Sequence, residues 1–103
     1  HAVRPLRDHT AYGAAKAGLA FLTRALARDL APDIRVNGVA PGAILWPDGG
    51  VTDSMRDTIL RQIPLQRVGA PADIAACVLY LVRDASYVTG QIIAVDGGRS
   101  AGW

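Results

Sequence analysis

Tyr12 and Lys16, one helical turn apart, are the two residues of this sequence whose types and spacing best suit chemistry. On a helix, a spacing of four puts both side chains on one face, so a phenol and an ammonium group can meet over the same pocket. The ammonium favours the phenolate and brings the Tyr12 hydroxyl toward proton exchange near neutral pH, which makes it a candidate general acid or base. Such an acid suits hydride delivery to a carbonyl or imine, because the acceptor atom becomes more basic as hydride arrives and needs a proton. No side chain supplies hydride, so the chemistry implies a cofactor. Lys16 is the sole lysine among 11 Lys and Arg residues. It stands in a stripe of leucines, where a lysine is costly unless it has partners or reaches solvent. An idle surface pair is the competing reading.

The elements that must position this pair follow from periodicity. Ala11 to Leu30 reads as a long Ala- and Leu-rich helix, with Thr10 as N-cap and Pro32 just beyond its end. It carries two apolar faces. Tyr12, Ala15, Lys16, Leu19, Leu22, Leu26 and Leu30 form one, and Ala14, Ala17, Gly18, Phe21 and Ala25 form the other. The second, rich in small residues, fits either a subunit contact or a helix enclosed within one chain. Ile34 to Ala40 is a β-branched run that predicts a strand ended by the turn Pro41-Gly42, and helix then strand then loop is the order of a parallel α/β sheet. Ala43 to Pro64 is weakly patterned, with a turn-rich loop at Trp46 to Gly50 and at best a short amphipathic helix over Thr52 to Ile63, which suits a lid or substrate loop. A second clear helix begins near Pro71, with Asp73 in its first turn, and ends near Arg83-Asp84; Ile74, Cys77, Val78 and Leu81 form its apolar face. Gln91 to Val95 predicts a second buried strand closed by Asp96-Gly97-Gly98, and Arg99 to Trp103 is too short for an element of its own.

Composition narrows the function classes. Half of the 103 residues are hydrophobic, enough for one compact domain or part of one. Neither a signal peptide nor an apolar run of membrane-spanning length occurs, so a soluble, cytoplasmic protein without a membrane partner is expected. A formal charge of +2 comes from scattered arginines, not from a basic patch with interleaved aromatics, which argues against nucleic acid. The single cysteine, Cys77, reads as a reduced filler of a helix face, and no metal-ligand cluster is apparent. Two strands cannot by themselves make a stable parallel sheet covered on both faces, so the remaining strands are expected from an N-terminal segment or a partner chain.

Three ordered motifs carry a family resemblance. Tyr12-x-x-x-Lys16 on a helix, Arg35-Val36-Asn37-Gly38-Val39-Ala40-Pro41-Gly42 on the next strand, and Val88-Thr89-Gly90-Gln91-Ile92-Ile93-Ala94-Val95-Asp96-Gly97-Gly98 together resemble the C-terminal half of the short-chain dehydrogenases/reductases. The resemblance implies an α/β fold: the C-terminal portion, residues 1–103, of a single Rossmann-like doubly wound parallel sheet whose N-terminal half is absent. It implies Tyr12 as proton donor, with Lys16 tuning it and hydrogen-bonding the nicotinamide ribose. Pro41 and Gly42 would border the nicotinamide ring and the backbone of Ile44 would hold its carboxamide, which agrees with ligands lying beyond the carboxyl ends of parallel strands. Asn37, Asp96 and Gly97 are expected to be structural. NADP(H) is preferred over NAD(H), with a homo-oligomer, dimer or tetramer, formed through the Ala11 to Leu30 helix.

The departures matter as much. No Gly-x-Gly-x-x-Gly occurs, so the pyrophosphate of a dinucleotide has no cradle in this segment. The family's Ser, or in some branches Asp, would fall just ahead of His1. His1 to Leu6 with Pro41 to Pro47 resembles the pteridine reductases, which reduce dihydropterins or dihydrofolate with NADPH. Leu45 and Trp46 would then offer an apolar surface to a bicyclic substrate, unless Trp46 merely packs the lid. A 3-oxoacyl or other ketone substrate is the alternative within the family. From another class, the chain is a non-catalytic fragment that only associates with partner chains.

Overall fold

The computed structural model describes the backbone of residues 3–42, 44 and 52–101, and side chains from residue 14 onward within those ranges. The main elements in chain order are α1 (Val3–Leu30), β1 (Gly38–Pro41), α2 (Asp53–Arg61), α3 (Pro71–Leu79) and β2 (Ile92–Val95). α3 runs on through a wider turn at Tyr80–Asp84, and a short 3-10 turn, Arg99–Ala101, follows β2. β1 and β2 pair. Gly38 N donates to Gln91 O at 2.8 Å and Gly42 N to Val95 O at 3.0 Å, so both strands advance in the same direction and the pair is parallel. Chain contacts gather into two compact units, residues 1–38 with 88–92 and residues 39–87 with 93–103.

In the first unit, α1 starts a full two turns before the expected Thr10 cap. Pro5 falls in its first turn, where the missing N–H has no intrahelical acceptor to lose, so the residue does not stop the helix. Neither expected apolar face is covered: Leu19 is 64% exposed and Phe21 70%. The covered stripe is instead Thr23, at 7%, and Ala27, at 3%. Small residues stand there because glycine backbone lies close. A Cβ on Gly90 would come 3.4 Å from the Ala27 methyl, and one on Gly38 would come 3.8 Å from Thr23 Oγ1. The Thr23 hydroxyl is satisfied by donating to Leu19 O at 2.8 Å.

The strand expected over Ile34 to Ala40 begins only at Gly38. Residues 35–37 precede the strand and are held mostly by side-chain hydrogen bonds rather than by a regular ladder. Asn37 Nδ2 donates to Val88 O at 2.9 Å while its Oδ1 accepts from Gln91 N at 3.1 Å. Val36 N donates to Thr89 Oγ1 at 3.0 Å, Val36 O accepts from Gly90 N at 2.7 Å, and Arg35 Nη1 reaches Val88 O at 3.3 Å. Asn37 thus acts as structure, fixing the register in which β1 meets β2.

In the second unit, the helix weakly expected over Thr52 to Ile63 forms as α2, capped by Thr52, whose Oγ1 accepts from Met55 N at 3.1 Å. α3 opens with Pro71 in its first turn and with the Asp73 carboxylate accepting from Ala70 N at 2.8 Å. Its inward face is Ile74, Cys77 and Leu81, continued by buried Ala85; Val78, expected on the same face, is 43% exposed. Cys77 is a half-buried free thiol. Among the described residues, no helix is long and apolar enough to cross a membrane.

Candidate active site

Each site residue read from the sequence has a defined place or lies outside the described residues. Tyr12 and Lys16 stand one turn apart on α1; the Tyr12 side chain is outside the described set, and Lys16 is exposed. Pro41 and Gly42 form the carboxyl end of β1 and the residue after it. Ile44 is half-buried and pairs in parallel fashion with Gly69. Leu45 and Trp46 lie outside the described residues, as does the rest of the loop through Gly50.

Gly42 is glycine for a packing reason. A Cβ there would fall 2.6 Å from Asp96 Cβ and 2.8 Å from Asp96 Cα, so the two parallel strands can end side by side only if residue 42 has no side chain. Asp96 in turn closes the turn after β2. Its carboxylate accepts from Gly98 N at 2.9 Å and Ser100 N at 3.1 Å. The Ser100 side chain and then the Gly98 amide hold that carboxyl below its usual range. Asp73 is held low by the Ala70 amide first and then by the Arg67 guanidinium, 3.2 Å away. A cavity of about 180 Å³ lies between these anchors, lined by Leu65, Arg67, Gly69, Asp73, Val95, Asp96 and Gly97.

Pro41 gives an exposed apolar ring at the open end of the sheet, and Lys16 gives a cation on exposed helix surface. The pyrophosphate end has no counterpart in this sequence. Among the described residues no cluster of His, Cys, Asp or Glu could hold a metal ion. The part played by Gly42 and Asp96 in seating the two strand ends together escaped sequence reasoning. The nearest signal was the presence of a glycine directly after each strand's turn residue.

Comparison with known proteins places the chain. The family model described as Enoyl-(Acyl carrier protein) reductase matches residues 1–100. The 3-oxoacyl-[acyl-carrier-protein] reductase FabG of Thermotoga maritima is 47% identical over 92 residues, covering 86% of this chain and 37% of that protein. Dehydrogenase/reductase SDR family member 4 of Caenorhabditis elegans is 48% identical over 100 residues, covering 88% and 38%. A solved 4-hydroxyisoleucine dehydrogenase complexed with NADH superposes with a TM-score of 0.83 at 33% identity, covering 91% of this chain and 41% of that one. The chain belongs to the short-chain dehydrogenase/reductase family of oxidoreductases, and its parallel strands and helices match part of that family's Rossmann fold. It spans 37% and 38% of the length of these two curated relatives.

Proposed function

We propose that residues 1–103 are the C-terminal, nicotinamide-facing part of a single Rossmann-like domain, and that the protein containing them is an NAD(P)H-dependent reductase of a C=O or C=N bond. The observation that carries this reading is the placement of Tyr12 and Lys16 one turn apart on α1 in a member of this family. The bound nicotinamide supplies hydride. Tyr12 Oη donates a proton to the substrate oxygen or nitrogen as charge develops there, and the Lys16 ammonium lowers the cost of the phenolate left behind. With the cofactor bound, Lys16 would also hydrogen-bond the ribose, Pro41 and Gly42 would border the nicotinamide ring, and the Ile44 backbone would hold its carboxamide.

The FabG relatives support a 3-oxoacyl substrate. A dihydropterin or dihydrofolate is the second reading, resting on Leu45 and Trp46 as an apolar platform for a bicyclic ring. The family neighbour holding NADH supports a nicotinamide cofactor, and NADP(H) is our assignment for this protein. The open Leu19, Phe21 and Leu22 on α1 support association into a dimer or tetramer through this helix, in a cytoplasmic enzyme. The test is NADPH oxidation by the family-length polypeptide containing this segment, given a 3-oxoacyl thioester or a dihydropterin. Turnover of the thioester alone supports the first substrate and turnover of the pterin alone the second. Turnover of neither, nor of simple ketones, refutes the reductase reading.

A further inference from the structure

α2 belongs to the connection that leaves the carboxyl end of β1, and the turn after β2 leaves the carboxyl end of the parallel neighbour, so both lie by topology on the side of the sheet where ligands of such folds bind. They meet there through four consecutive residues at the end of α2. Arg99 Nη2 donates to Gln62 Oε1 at 2.6 Å. Ile63, 3% exposed, rests on the bare Cα of Gly97, where a Cβ would come 2.6 Å from Ile63 Cγ2. Pro64 sits over Gly98, where a Cβ would come 3.1 Å from its Cγ, and Leu65 N donates to Gly97 O at 3.0 Å. Gly97 and Gly98 hold φ of 65° and 94°, a region in which a side chain is strained, and the Asp96 carboxylate closes the turn beneath them.

We infer that the turn Asp96–Ser100 is the seat that positions α2 over the substrate, with Arg99 acting on substrate binding through Gln62. The helix of nine residues is about 14 Å long, so its anchored end sets where the rest of it lies. Arg99 is therefore a positioning residue: it touches neither substrate nor cofactor in this account. The inference rests on the reductase reading for its link to substrate, but the seat itself is testable without turnover.

The experiment is a double-mutant cycle on Arg99 and Gln62 in the family-length polypeptide, with Arg99→Lys as the conservative variant. Both sites are exposed, so loss of the side chains is compatible with folding. Loss of one charge-assisted hydrogen bond predicts that Arg99→Ala and Gln62→Ala each raise KM for the carbonyl substrate about fivefold with kcat little changed. The double variant is then no worse than either single, and Arg99→Lys recovers most of the loss. Amide hydrogen exchange over residues 53–61 speeds up in both Ala variants and in the double to the same extent. Unchanged exchange, or effects of the two substitutions that simply multiply, overturns the seat; faster exchange with unchanged KM in a protein that turns over removes its action on substrate. Absence of turnover in the unsubstituted protein refutes the reductase reading, a result separate from the exchange measurement.

Discussion

At the residue scale, the chain commits two carboxylates to backbone amides. Asp73 and Asp96 each accept from N–H groups that would otherwise lack acceptors, and both are held below the ordinary carboxylate value of 3.8. A folded-state value below the unfolded one means stability that is fully present above pH about 4 and is lost as pH falls through the depressed folded-state value. Thermal midpoints recorded from pH 6 downward should therefore fall in the acid range, and Asp96→Asn should lower the neutral midpoint while flattening that fall. Lys16 belongs to the same scale. In the proposed mechanism Lys16 favours the Tyr12 phenolate, so Lys16→Ala should slow reduction by about tenfold or more and move the alkaline limb of its pH profile to higher pH. Steady-state rates across pH would check both parts.

At the element scale, what could be read in advance depended on how local the cause was. Thr52, Pro71 and Asp73 act within one turn of their own helices, so α2 and α3 were legible at their starts. β1 was not, because the Val36 backbone and the Asn37 side chain are held by Thr89, Gly90 and Gln91, more than fifty positions along the chain. The buried stripe of α1 was hidden for a related reason. Thr23 and Ala27 look unremarkable beside the leucines until the close glycines of another segment are known. The same contact logic yields two stability predictions. Gly42→Ala forces a methyl against Asp96 and should cost about 1 to 3 kcal/mol, measured by denaturant unfolding. Leu81→Ala empties a buried position at the end of α3 and should cost about 2 to 4 kcal/mol in the same measurement.

At the scale of the whole molecule, family membership and the pairing of the two strands agree with the α/β order read from hydrophobic runs. The site divides differently. The Tyr12-Lys16 spacing and the Pro41-Gly42 turn stand out because each is a short pattern. The proposed substrate contact at Leu45 and Trp46 rests on residue type alone, and substrate identity is therefore the part of the function least legible in the sequence. In the proposed reading the segment carries the nicotinamide-side groups, and its sequence has no Gly-x-Gly-x-x-Gly to cradle the pyrophosphate. Taken alone, it should bind NADPH no tighter than about 1 mM by calorimetry, whereas the family-length polypeptide should bind it well below that.

The most direct measurement of the central claim is the rate of NADPH-dependent carbonyl reduction by the family-length polypeptide carrying Tyr12→Phe, which removes one oxygen from the helix face. Loss of turnover by about 100-fold or more, with nicotinamide affinity retained, is the result this account predicts. Turnover near that of the unsubstituted protein would contradict it, because the proton would then come from another group.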